Sequence, residues 1–187
     1  YFLLLKGRFN ALWKNGELRV YLTITLVVSL CVAFNIADRH EGFSEAVRYA
    51  SFQTLAILTG TGFSTDNFDA YPAFSKMLLV CLMFVGGCAG STAGGMKIAR
   101  IMVVFKVVYQ ETYRVFRPQA RMSVRISGNV VKDEVVRSIL VFFASFIILF
   151  AFGAIFMTGL GLDLITAATS VAACLGNIGP GLARVGA

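Results

Sequence analysis

The sequence predicts an all-α membrane protein assembled from repeated helix, re-entrant loop, helix units, and three observations carry that expectation. Hydrophobic residues make up 57% of the 187 positions and charged ones 14%, against roughly 45–50% and about 25% in a soluble domain. Two apolar runs, Val20 to Ile36 and Ser138 to Leu160, are long enough to cross a hydrocarbon core, which takes about 17 to 25 helical residues. After each run comes a short apolar stretch ending in a glycine-bearing segment, and the two segments stand 117 positions apart.

The formal net charge of +7 is arranged by side and not gathered for a nucleic acid. Lys6, Arg8, Lys14 and Arg19 precede the first span. Lys97, Arg100, Lys106, Arg114, Arg117, Arg121, Arg125, Lys132 and Arg137 fill the connection before the second long run. Basic connections of this kind stay on the cytoplasmic side, which puts residues 1–19 and 97–137 inside and 37–45 and 66–71 outside. The outer loops carry Asp38, Glu41, Glu45, Asp66 and Asp69 against Arg39, Arg48 and Lys76. Trp13 fits an interfacial anchor, and His40 is expected to be a solvated loop residue. Tyr1 to Arg19 has neither the apolar core nor the cleavage site of a secretory signal and opens mid-element, so the chain is expected to be part of a longer protein. Cys31, Cys81, Cys88 and Cys174 lie far apart with no paired spacing. They are expected to be buried packing residues, with no disulfide and no metal site.

The elements follow in order. The first span, 20–36, rises to the outer face near Asp38. Ala46 to Leu58 is too short to cross and carries Arg48, so it reads as a re-entrant helix, 46–58. The chain then returns through 59–65 to the outer face at Asp66 to Tyr71. A second helix, 72–109, descends through a glycine-rich interruption to the basic connection, 110–136. Setting Ala56 to Ser64 over Ala173 to Gly181 aligns Ala56 with Ala173, Leu58 with Leu175 and Gly62 with Gly179. The same offset carries 20–36 into the second long run. A second, partial unit over 137–187 is therefore expected, with a span at 138–160, a short helix at 164–175 and a returning segment at 176–181. Both units start on the basic side, so they are parallel copies and not the inverted repeats of many secondary transporters. Parallel copies suit rotational symmetry about a pore along the membrane normal.

A re-entrant helix entering from outside aims its C-terminal partial negative charge at the bilayer centre, which favours a cation there. The returning segments "TGTGFST" and "GNIGPG" are too glycine-rich for helix and expose backbone carbonyls. Non-helical backbone at membrane depth is tolerated against protein or a water-filled path. Carbonyls that replace an ion's hydration shell make a selectivity filter, and glycine permits the dihedrals that such a strand needs. The plainer reading of each segment is an outer-surface turn after an interfacial helix. Recurrence at one offset, with a central glycine both times, favours the filter.

"LTGTGFST", "GGCAGSTAGGMKIAR" and "LGNIGPG", in this order and spacing, resemble the third and fourth pore units of the Trk/Ktr superfamily of potassium transporters, and most of all its TrkH branch. The resemblance covers the whole chain and implies four non-identical units around one pseudo-fourfold pore, in the cytoplasmic (inner) membrane of a bacterium. It implies that Gly60, Thr61, Gly62, Asn177, Ile178 and Gly179 are the potassium-facing filter positions, with Phe63 and Pro180 behind the shared glycines. Both loops depart from the TVGYG of tetrameric channels, keeping only the glycine, which implies looser discrimination against sodium. A homodimer with one pore per chain, and a cytoplasmic ring of nucleotide-binding regulatory subunits of the TrkA type, are further implications. Residues 106–137 are the expected docking surface. No cofactor is expected beyond the transported ion.

The interruption holds Gly86, Gly87, Gly90, Gly94 and Gly95. Gly86, Gly90 and Gly94 have the small-xxx-small spacing of helix packing. The adjacent Gly87 and Gly95, with Ser91 and Thr92, exceed what a packing stripe needs. Each glycine costs a helix interior about 1 kcal/mol relative to alanine, so unwinding avoids roughly 5 kcal/mol. In the family this region is an intramembrane loop that obstructs the pore, and the resemblance assigns that gate role here. Ser91 and Thr92 are expected to satisfy freed backbone groups, while Lys97 and Arg100 fix the lower end. Lys97 reads as an interfacial anchor or as a charge that repels cations when the loop is closed. Asp66, just past the first returning segment, is expected to concentrate cations at the mouth, with Asp69, Glu41 and Asp38 solvated.

The function expected is therefore potassium uptake through a carbonyl-lined filter gated by a glycine loop. An ion-coupled transporter of a small solute is the alternative, and it calls for inverted repeats and a site rich in side chains. An intramembrane enzyme would need acid, base or metal-ligand residues within the spans. The acids and the lone histidine lie outside them.

Overall fold

The computed structural model describes residues 15–117, 125–126 and 129–186. Lys6, Arg8, Trp13, Lys14 and Arg121 lie outside the described residues. Among the described residues the fold is six α-helices with short single turns between them and one two-residue antiparallel pairing of β1 (Arg125–Ile126) with β2 (Asn129–Val130).

The first helix, α1 (Gly16–Ile36), starts where Asn15 Oδ1 accepts from the amides of Glu17 and Leu18, relieving two of the orphan donors that open any helix. Val32, Ala33 and Ile36 are buried, while Leu22, Leu26, Val27 and Phe34 are exposed. A helix apolar on both its buried and its exposed sides belongs in lipid or in a larger apolar assembly. With the single turn that follows, it makes a 24-residue candidate span, and α5 (Asp133–Gly159) makes a second of 27.

Packed along α1 is α2 (Phe43–Thr59), the best-buried element of the first half. Its inward residues Ala46, Ala50, Gln53, Thr54 and Ile57 recur at helical spacing. Ala33, Ala46 and Ala50 keep the helix axes close, which matters because helices in lipid associate by close fit and not by the hydrophobic effect. Leu79, Leu82 and Met83 of α3 (Ala73–Val85) and Ala172 of α6 (Leu164–Gly176) close the core around Leu58. Ser75 Oγ donates to Asn35 Oδ1 at 2.7 Å, pinning α3 to α1.

Between α3 and α4 (Ile98–Phe116), residues 86–97 are not helical. The helix-packing reading of Gly86, Gly90 and Gly94 therefore falls. Beyond the segment, α4 runs on to Phe116, past the expected limit at 109, supported by a 2.9 Å Arg114 to Glu111 pair one turn apart. The fifth helix starts at Asp133 and not 138 because Asp133 and Glu134 occupy its first turn, where carboxylates complement the helix dipole. Arg100 lies over the Phe142 ring at 4.1 Å, fastening α4 to α5.

The repeat is visible in the element bounds. Helices α1 and α5 begin at 16 and 133, and α2 and α6 end at 59 and 176, both pairs at the offset of 117.

The cysteines depart from expectation. Cys81 and Cys174 are exposed, and Cys31 and Cys88 are half-buried. A small apolar side chain suits the outer face of a membrane helix as well as a core, so the apolar neighbours of these residues in sequence did not imply burial.

Candidate functional site

Both short helices end in the same way, and the sequence says why. The amide of Thr61 donates to Ala56 O at 3.1 Å and that of Gly60 to Ile57 O at 3.2 Å. In the second unit Ile178 donates to Ala173 O at 2.9 Å and Asn177 to Cys174 O at 3.1 Å. Each termination needs a left-handed residue, supplied by Gly60 (φ 70°) and by Asn177 (φ 50°). Glycine has no Cβ to clash there, and asparagine is among the few side chains that tolerate the conformation. Two residues on, Gly62 and Gly179 also take positive φ, 70° and 112°. One local fold is written twice with different residues.

The two returning segments touch. A Cβ on Gly62 would stand 1.9 Å from the carbonyl oxygen of Ile178, and one on Gly60 would stand 3.1 Å from that of Asn177. Gly60, Asn177, Ile178 and Gly179 line a 450 Å³ open cavity with Ala173 and Cys174. Pro180 reaches across to Gly62, its Cδ 3.2 Å from the same Cβ position. Phe63, next after Gly62, is 72% exposed.

Beneath the helix ends lies the glycine segment. A Cβ on Gly94 would come within 2.4 Å of Gly176 O at the end of α6, and one on Gly87 within 3.4 Å of Leu58 O at the end of α2. The segment closes on itself as well, since a Cβ on Gly86 would meet Gly94 O at 2.3 Å. Ala93 is buried directly against Gly60. Freed backbone groups are re-paired: Met96 N donates to Phe84 O at 3.0 Å, Ile98 N to Gly87 O at 3.1 Å, and Ser91 Oγ accepts from Ala93 N at 3.3 Å. Thr92 is exposed and takes no part in this pairing, contrary to expectation. Lys97 does more than anchor an interface. Its Nζ donates to Ala89 O at 3.3 Å and Ser91 O at 3.0 Å. Its own backbone stands at φ 65° and ψ 137°, a strained region for any residue with a Cβ.

At the opposite end of the helices, His40 and Asp69 make contacts where solvation was expected, and Asp66 lies beside His40. His40 stacks on Tyr49 at 4.8 Å, its Nε2 is 3.5 Å from Asp66 Oδ2, and its side chain is 12% exposed. Asp66 also accepts from Asn67 N at 2.7 Å. Asp69 Oδ1 accepts from Ala183 N at 3.0 Å, tying the loop after the first returning segment to the end of the second. Burial, and then the Asp66 carboxylate beside it, push the Tyr71 phenol far above its ordinary range. Asp163, which caps α6, has its carboxyl held below the ordinary value by the Thr166 hydroxyl and then the Thr166 amide.

Comparison with known proteins adds the family. The sequence model of TrkH, described as a cation transport protein, matches residues 20–185. The chain belongs to the TrkH family. It is a family of transport proteins and not of enzymes. This TrkH-family chain is 32% identical to the Trk system potassium uptake protein TrkH of Salmonella typhimurium over 99% of its own length, and 35% identical to that of Vibrio parahaemolyticus over 92%. It spans 39% and 36% of those two proteins. The crystal structure of the potassium transporter TrkH from Vibrio parahaemolyticus superposes on it with a TM-score of 0.85 at 33% identity, covering 92% of this chain and 37% of that one.

Sequence reasoning named the glycines of this TrkH-family site but missed Glu17, Ala93 and Gly176, and it missed the bond between Asp69 and Ala183. Gly176 had a signal in its place at the end of a helical run. Ala93 and Glu17 had none, since nothing local marks an alanine beneath a helix end or a glutamate that reaches out of its own helix.

Proposed function

We propose that this chain is the part of a potassium uptake protein that holds two filter segments and the gate beneath them. Potassium passes the carbonyls of Gly60, Thr61 and Gly62 in one unit and of Asn177, Ile178 and Gly179 in the next, and residues 86–97 obstruct its path on the cytoplasmic side. The observation that carries the reading is the pair of matching helix ends, 117 residues apart, whose returning segments abut over one glycine-rich segment. Helix C-termini carry partial negative charge and glycine segments leave carbonyls available, so the place suits a monovalent cation that must bind without a fixed anionic side chain. The relatives named as potassium uptake proteins support the choice of ion.

The rest of the reading concerns the whole protein. The units are the third and most of the fourth of a pseudo-fourfold pore, the parent is a homodimer in the bacterial inner membrane, and a TrkA-type nucleotide-binding ring docks on the basic connection that includes Arg114, Arg117, Arg121 and Arg125. Charge reversal at these four arginines is expected to abolish co-purification with the ring, and retained binding would remove the docking assignment.

The deciding experiment is potassium uptake by the full-length parent in liposomes, with Gly62→Ser and Gly179→Ser compared at matched insertion. Altered potassium over sodium selectivity in both variants is the expected result. No monovalent cation uptake by the wild type, or unchanged selectivity and rate in both variants, would overturn the filter and favour a solute transporter.

A further inference from the structure

The tip of the glycine segment is held by charged side chains and not by packing. Residues 89–92 are exposed, and a Cβ on Gly90 would meet no atom within 4 Å, so nothing wedges the tip in place. Ala89 is nevertheless bound at both of its polar backbone atoms. Its N–H donates to Glu17 Oε1, and its carbonyl accepts from Lys97 Nζ at 3.3 Å. An anion on the donor and a cation on the acceptor give two charge-assisted bonds of the stronger class.

Glu17 is available for this because the start of α1 is already capped. Asn15 Oδ1 accepts from Glu17 N at 3.0 Å and Leu18 N at 3.4 Å. A carboxylate in the first turn commonly turns back on its own helix. Here it reaches a residue 72 positions away, the single described side chain of α1 that hydrogen-bonds the segment. The base of the segment is fixed differently, by glycines pressed against the ends of α2 and α6.

We propose that Glu17 is a positioning residue for the gate: its carboxylate clasps the tip through the Ala89 amide and couples the closed position of the loop to the N-terminal end of α1. The inference rests on residues 86–97 being the gate. Hydrogen bonds weaken steeply as their angle and length depart from the optimum, so a small displacement of the start of α1 releases the tip while its base stays seated. Lys97 restrains the same tip from within the segment. Among the described residues Glu17 alone ties the tip to another helix by a side-chain hydrogen bond, which makes α1 the element through which a cytoplasmic signal reaches the loop.

The test is resting potassium flux and potassium over sodium selectivity of the full-length parent in liposomes, for four single variants and one combination of two of them at matched insertion. Glu17→Ala removes the acceptor, and Glu17→Gln keeps an acceptor oxygen without the charge. An ester in place of the Ala89 amide, made by substituting lactic acid for alanine, removes the donor and alters no side chain. Gly94→Ala reports on the gate itself. Glu17→Ala and the ester are each expected to raise resting flux about five-fold, the size of one exposed charge-assisted bond. Selectivity should not change, the two together should do no more than either alone, and Glu17→Gln should lie nearer the wild type. Wild-type flux in Glu17→Ala and in the ester, with an altered Gly94→Ala, overturns the clasp and leaves the gate standing. Wild-type flux in all of them removes the gate and the clasp together. A change in Glu17→Ala without one in the ester also overturns the clasp, because Glu17 would then act elsewhere. If Glu17→Ala fails to insert, the ester decides.

Discussion

Gly62 and Ile178 approach so closely that a Cβ on the first would stand 1.9 Å from the carbonyl oxygen of the second. This contact makes two segments on successive repeats into one site, and it separates the two glycines that the repeat equates. Gly179, its counterpart, has open space around the Cβ position and only its φ of 112° to constrain it.

Gly62→Ala is therefore expected to be the more damaging change. It adds a backbone clash to a left-handed strain of about 1–2 kcal/mol, whereas Gly179→Ala adds the strain alone. Potassium over sodium permeability ratios in liposomes check this. The site as drawn requires the larger loss of selectivity in Gly62→Ala, and equal effects would contradict it.

The glycine-rich segment 86–97, the proposed gate, makes a second contrast. Gly94→Ala drives a methyl to 2.4 Å from Gly176 O, and Gly90→Ala meets nothing within 4 Å. Gly94→Ala is expected to unseat the segment and change resting flux several-fold, the equivalent of about 1–2 kcal/mol. Gly90→Ala should stay near the wild type. Stopped-flow flux at a fixed potassium gradient separates the two, and a larger effect from Gly90→Ala would mean that the segment sits elsewhere.

Strain at Lys97 supplies a third. Lys97→Met and Lys97→Gly both remove the ammonium bonds to Ala89 and Ser91, but only glycine accepts φ 65° with ψ 137° without penalty. Lys97→Gly should thus be more stable than Lys97→Met by about 1 kcal/mol, the strain relieved less the entropy lost by glycine. Thermal unfolding of the purified parent in detergent measures the difference. A less stable glycine variant would show that the backbone of Lys97 is not strained.

Asp163 predicts a pH dependence. The Thr166 hydroxyl and amide favour its ionised form, so its folded-state value lies below its unfolded one. A depressed carboxyl contributes stability that is fully present above the unfolded value and is lost as pH falls through the folded one. Wild type should accordingly be more stable than Asp163→Ala at neutral pH. The gap should narrow only when pH drops below the ordinary aspartate range. Thermal unfolding of both proteins across an acid series tests the sign, and a gap that widens on acidification would reverse it.

Much of the site could be read from local chemistry. Gly86 to Gly95 broke the helix, as the repeated glycine penalty required, and Gly60 and Gly62 took the positive φ that a chain turning back from a helix needs. Asn177 was named through the family resemblance, and its left-handed φ shows why asparagine can stand where the first unit has glycine. His40 and Asp69 were misread as solvated because a polar residue in a loop looks the same in sequence whether or not another loop folds over it. The cysteines were misread for the converse reason: an apolar residue in a membrane protein need not face a core.

The sequence by itself determined the two long apolar helices, the repeat at 117 and the place where a helix would not form. Those properties depend on hydropathy, charge and backbone freedom over a few neighbouring residues. Only the tertiary structure decided that Gly62 meets Ile178, that Gly94 seats against Gly176, that Asp69 holds Ala183 and that Glu17 reaches Ala89. These partners are brought together by how the helices pack, and an ångström of displacement makes or breaks each contact without leaving any trace in the local pattern of residues.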